Sequence, residues 1–224
     1  MANKVHPIIG PDNFDDTDYK ALLPALRVAS RLLLSEDSLK YYFTVFHNDP
    51  AFKPYAPDAG CGDETYMYHP TLDRKLTKKE VKIVKRDLEI MADTVAIYHE
   101  DLDGLDGTCG YACEEADISL TALGFKGWHS KIVHADDIYQ QITELYYKAG
   151  GDGSKFTPEL LWAYMRLACV LLHEIAHAAQ RFRWGEFNDE IAFGDNTLME
   201  AASTTKTLYS EGPGTFQKRA AWHS

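Results

Sequence analysis

With 224 residues, 45% of them hydrophobic, the chain is long enough to bury one substantial core and short for two, so a single domain spanning 1–224 is expected. A formal net charge of -11 argues against a surface built for a nucleic-acid backbone or an anionic membrane, since both need clustered Lys and Arg; only a local basic patch is compatible with it. The opening "MANKVHPIIGPDNFDD" lacks the basic flank and apolar run of a secretory signal, and no apolar stretch reaches membrane-spanning length, so a soluble, cytoplasmic protein is expected.

In chain order, "DYKALLPALRVASRLLL" has helical spacing despite Pro24, and a core helix is its simplest use. "SLKYYFTVFH" is rich in aromatic and β-branched residues and predicts a strand. Residues 48–76, with Pro50, Pro54, Pro57 and Pro70, read as an irregular surface excursion. Thr77 and Glu80 form a capping box that starts a helix through "TKKEVKIVKRDLEIMA", and "TVAIYHE" follows as a strand. "DLDGLDG" reads as a solvated turn, because Asp106 stands where a calcium-binding EF-hand loop requires glycine. "ADISLTAL" and "SKIVHAD" are further strands, with His129 and His134 flanking the second as surface or satisfied core residues, and "DDIYQQITELYYKAGG" is a helix stopped by paired glycines. Helices packed on a small mixed sheet give the α+β class.

Cys61, Cys109, Cys113 and Cys169 are too sparse for a disulfide-stapled domain, so reduced thiols are expected. Cys109 and Cys113 in "CGYAC" cannot close a zinc site by themselves, and their spacing is not that of a redox pair.

The chemistry is concentrated in "VLLHEIAHAAQ", Val170 to Gln180. It lies on the last strong helix, which Thr157 caps, Pro158 begins and Gly185 stops. Positions four apart on a helix share a face about 6 Å apart along the axis, so His173 and His177 can bring ring nitrogens to one ion and preset two ligands of a tetrahedral zinc site. Glu174 is turned from direct ligation but can reach a water on the open side of the metal, as a general base must. Without a metal, three ionisable groups in an apolar helix carry a considerable desolvation cost; the bland reading is a satisfied pair of core histidines.

This stretch resembles the extended signature of the zincin metallopeptidases, in which uncharged residues surround H-E-x-x-H and a hydrophobic residue follows it. The order of helices and sheet ahead of the motif is also similar to a zincin catalytic subdomain, and the segment after it resembles uncharacterised fungal H-E-x-x-H proteins. In the metzincin pattern a glycine and a third histidine follow, but those places hold Gln180 and Arg183. In gluzincins the third ligand is a glutamate about twenty residues on, which the resemblance places at Glu200 in "DNTLMEAASTTKTLY". Thr197 and Glu200 also form a T-x-x-E capping box, so Glu200 has a second use as a helix cap. Glu190 in "NDEIAFG" is the competing ligand, through a fainter similarity to the aspzincin segment. Thr204 stands where many gluzincins carry an aspartate that orients the first histidine, leaving Asp189 and Asp195 as candidate orienters.

The resemblance implies a zinc-dependent peptidase acting on a peptide or protein substrate, with His173, His177 and a glutamate holding Zn2+ and Glu174 moving the proton. Tyr209 and His223 are candidate oxyanion donors, and "ADISLTAL" a candidate edge for pairing an extended peptide. The alternative is a zinc-binding zincin-fold protein that does not cleave peptides and serves recognition or other metal chemistry. A DNA-linked protease of the SprT-like type is disfavoured by the acidic balance and by the lack of a third histidine soon after the motif. Such ligands also accept manganese, cobalt or nickel.

Overall fold

A computed structural model describes residues 4–14, 19–49, 51–54, 65–102, 107–111, 124–125 and 128–184. The chain enters through two 3-10 turns, Pro7–Ile9 and Pro11–Asn13, which bury Ile8 and Ile9. His6 fixes this entry: its backbone N–H donates to Ser30 Oγ at 2.9 Å, and its Nδ1 accepts from the Ile8 N–H at 3.2 Å. Burial, followed by the charge of Lys85, holds the His6 imidazole down to about 4.

Helix α1, Tyr19–Leu33, buries Leu22, Leu26, Ala29 and Leu33 along one stripe, and Pro24 in its second turn forfeits only one intrahelical bond. Helix α2, Glu36–His47, replaces the strand expected over "SLKYYFTVFH". Local signals explain the correction. Ser35 caps the helix by accepting from the Ser38 N–H, Glu36 and Asp37 complement the positive end, and the buried residues fall as Ser38 and Leu39, Tyr41 and Tyr42, then Thr44, Val45 and Phe46. That spacing is helical, and it outweighs the strand preference of the individual side chains.

The excursion expected over 48–76 is only partly irregular. Strands β1, Ala51–Pro54, and β2, Thr65–Tyr68, pair antiparallel, and a 3-10 turn at Pro70–Asp73 leads onward. Helix α3, Lys78–Ala92, starts with the expected capping box: Thr77 Oγ1 accepts from the Glu80 N–H, and Glu80 accepts from the Thr77 N–H. It packs on α2 through a buried carboxylate. Asp87, with its side chain wholly inaccessible, accepts from His47 at 2.6 Å and from Arg86 at 2.7 Å.

Strands β3, Val95–Glu100, β4, Gly107–Tyr111, and β5, Ser130–Ala135, form a mixed sheet in the order β3-β5-β4. β5 runs parallel to β3 and antiparallel to β4, with His99 opposite His134 and Gly107 opposite His134 in the two registers. β3 and β5 were expected; β4 was not, because "GTCGY" has two glycines and little strand preference of its own, so its conformation comes from pairing with β5. The expected strand "ADISLTAL" and most of "DLDGLDG" lie outside the described residues. Helix α4, Asp136–Lys148, follows β5 directly, and helix α5, Pro158–Trp184, is the long element against which α1, α2, α4, β4 and β5 all pack. Thr157 caps α5 by accepting from the Leu160 N–H at 3.2 Å, as expected; Gly185 lies outside the described residues. Side chains from all five helices and from β3 and β5 make one continuous apolar cluster, an α+β arrangement. Among the described residues no helix is long and apolar enough to cross a membrane.

Two outcomes follow from these buried polar groups. Asp87→Ala removes the acceptor shared by His47 and Arg86, both partly exposed, and is expected to lower unfolding free energy by about 2 kcal/mol in urea titration; an unchanged midpoint would contradict the tie between α2 and α3. For His6, the folded pKa of about 4 lies below the unfolded value of 6.5, so the unfolded chain takes up the proton first as pH falls. Stability that is complete above pH 6.5 is therefore expected to be lost between pH 6.5 and 4. The loss should be shallower in His6→Asn, whose side-chain oxygen can still accept from Ile8.

Candidate metal centre

The stretch from Val170 to Gln180 is uninterrupted helix in the second half of α5. Leu167, Ala168, Leu171, Ile175, Ala178 and Ala179 are buried around it, so the helix is fixed on its apolar sides while the imidazole side remains partly open. On that side His173 Nε2 and His177 Nε2 are 3.0 Å apart, with the rings nearly perpendicular at 79°. Two zinc–imidazole bonds of tetrahedral geometry would separate their nitrogens by about 3.3 Å, so the pair already has the spacing of two ligands on one ion. The His173 side chain is 34% exposed and that of Glu174 only 7%, and the carboxylate Oε1 lies 4.0 Å from His173 Nε2. A proton acceptor therefore stands beside the imidazole pair.

His177 is held in its neutral form. Burial comes first, then the neighbouring charges of His173 and Arg181, and together they push the imidazole down to about 4. Neutral imidazole is the state whose nitrogen lone pair can ligate a metal. Cys169, one turn ahead of His173, is half-buried, and burial raises its thiol, which keeps it from thiolate chemistry near neutral pH.

The two side chains standing where a metzincin would carry glycine and histidine have structural work. Gln180 Nε2 donates to Tyr41 Oη at 2.7 Å, and Arg183 donates to the carbonyls of Phe46 at 3.0 Å and Gly124 at 3.1 Å. Between them Phe182 packs edge-on against Phe46 and tilted against Phe125, with ring centroids 5.9 and 4.7 Å away. The turn after the motif is thus pinned to α2.

Glu190, Glu200 and Tyr209, with Asp189, Asp195, Thr204 and His223, lie outside the described residues. Among the described residues no group of three or more His, Cys, Asp or Glu side chains is placed to hold a metal ion. The described site is therefore the His173–Glu174–His177 constellation on one helix.

A second histidine cluster escaped the sequence reading. His99 and His134 sit side by side at the ends of β3 and β5, their rings 5.9 Å apart, and Tyr139 of α4 stacks on His99 at 4.2 Å with planes only 5° apart. Asp136, in the first turn of α4, is 2.8 Å from His99 Nδ1 and fixes that ring. His134 is buried, so its expected place as a satisfied core histidine holds, while His99 carried no spacing signal that linked it to "HADDIY" across the sheet. Compared with known proteins, the chain matches no family model, no curated protein and no solved structure.

Proposed function

We propose that the protein is a zinc-dependent hydrolase of peptide or protein amide bonds, similar in its chemistry to the zincin metallopeptidases. The observation that carries this reading is the convergence of His173 and His177 Nε2 at 3.0 Å beside the buried carboxylate of Glu174. A purely structural metal site has no use for that carboxylate. His173 and His177 would hold the ion, with Glu200 as third ligand and Glu190 as its competitor.

When bound, zinc supplies the Lewis acidity that lowers the pKa of a water toward neutrality and polarises a substrate carbonyl. The chain supplies the proton handling. Glu174 accepts a proton from the attacking water at a carboxylate oxygen and returns it to the leaving amine, so that one group serves as base and then acid. Its burial fixes the carboxylate beside the imidazoles, which spares the cost of orienting it during the reaction. Tyr209 is proposed as the donor to the developing oxyanion. β4 supports the peptide assignment, because among the described residues it is a sheet edge packed against α5, where an extended chain could add as a further strand.

The test is cleavage of a mixed peptide library by zinc-loaded protein, followed by mass spectrometry. Glu174→Gln is expected to reduce turnover by about 10²–10⁴-fold with zinc content and folding unchanged. Glu200→Gln is expected to weaken zinc retention more than Glu190→Gln. Loaded protein that cleaves no peptide would favour the alternative of a zinc-binding protein without proteolytic activity, and undiminished cleavage by Glu174→Gln would remove the proposed base.

A further inference from the structure

Among the described residues, lysines gather on one surface of this acidic chain. Lys75, Lys78, Lys79, Lys82 and Lys85 fall on α3 and the residues leading into it; the first four are exposed and Lys85 is half-buried. None of the five forms an ion pair among the described residues, whereas the arginines bracketing them do, Arg74 with Glu80 and Arg86 with Asp87. Lys78, Lys82 and Lys85 are spaced four and three apart on α3 and so share one helical face, and Lys75 lies in the segment that leads into the helix. In a chain of net charge -11, five lysines outside any ion pair among the described residues make a local positive surface, even with Glu80 and Glu89 on the same helix.

An apolar hollow of about 290 Å³ opens beside this face, lined by Leu34, Leu39, Leu76 and Val81 with Lys75 and Glu36 among its walls. Val81 ties the two features together. Lys78 precedes it by three residues and Lys85 follows it by four, so both residues neighbour Val81 on the helix surface, while Lys75 lines the hollow itself. The hollow offers room for one or two large apolar side chains, and the lysines offer positive charge along one flank.

We propose that this surface docks an acidic peptide segment of a partner protein, with a bulky apolar side chain seated between Leu39, Leu76 and Val81 and its flanking carboxylates over Lys78, Lys82 and Lys85. The charge pattern selects an acidic occupant, and the hollow selects one with an apolar anchor. A nucleic acid would have no side chain to fill the hollow, and its long polyanion would meet the negative field of the rest of the chain. A flat membrane surface would not fill a concave site. The inference does not rest on the metal reading, because the surface belongs to α2, α3 and the turns that lead into them, and not to α5.

The test is fluorescence anisotropy with the full chain and a labelled dodecapeptide of Asp and Glu around a central Leu-Phe pair. Binding is expected to weaken as salt rises, since exposed charges are screened over about 10 Å at 0.1 M. Exchanging Leu-Phe for Ser-Ser in the peptide is expected to weaken it at least roughly ten-fold, because the buried apolar area is lost. A Lys78→Glu, Lys82→Glu, Lys85→Glu variant with unchanged circular dichroism is expected to lose at least as much; the peptide exchange is the arm that leaves the protein untouched. No binding at low salt, or equal affinity for the two peptides, would overturn the proposal. So would tighter binding of phosphatidylserine vesicles or of a twelve-base-pair DNA duplex, lost in the same variant.

Discussion

Gln180 reaching Tyr41, Arg183 reaching the Phe46 carbonyl, and Phe182 wedged between Phe46 and Phe125 fasten the last turns of α5 to α2. The geometry of the imidazole pair depends on this fastening. A 27-residue helix held only at its start would leave His173 and His177 on a lever, whereas α5 is gripped by α1 and α4 along its length, by β4 and β5 across it, and by α2 at its end. Side chains mounted on such a support lose little further freedom when they converge on a ligand, which is why binding groups on packed helices are more exact than those on loops. Burial of Glu174 is a consequence of the same grip, and the His173 imidazole gives the carboxylate a polar neighbour.

Much of this arrangement is legible in the sequence where the signal is local. The Thr77–Glu80 capping box, the stripe of leucines on α1, the Thr157–Pro158 start of α5 and the four-residue spacing of the histidines each state their conformation within a turn or two of chain. The errors come where context overrides preference. "SLKYYFTVFH" carries strand-favouring side chains, but Ser35 caps it and the core takes its residues in helical pairs; "GTCGY" carries almost no preference and becomes a strand because β5 offers an unpaired edge. His99 and Asp136 meet only through the parallel register of β3 and β5, a relation that no linear spacing expresses. The third ligand belongs to the same class. Glu200 and Glu190 are separated from the motif by chain whose path the described residues do not include, so sequence spacing alone ranks them.

Charge is distributed unevenly over the chain. The net charge of -11 excludes a uniformly basic surface, yet α3 gathers lysines beside an apolar hollow formed by α2, α3 and the turns that lead into them. The imidazole pair lies elsewhere, on the side of α5 that looks away from its apolar contacts. The two features therefore stand on different elements.

The central claim is that His173 and His177 are metal ligands and not merely hydrogen-bonded to each other. It is tested most directly by zinc per chain, measured by elemental analysis on protein purified without added metal and again after reconstitution, in the parent and in His177→Ala. Close to one zinc per parent chain, lost in His177→Ala, is the expected result. A parent chain that holds no zinc after reconstitution would contradict the account and leave "VLLHEIAHAAQ" as a core helix with a pair of satisfied histidines.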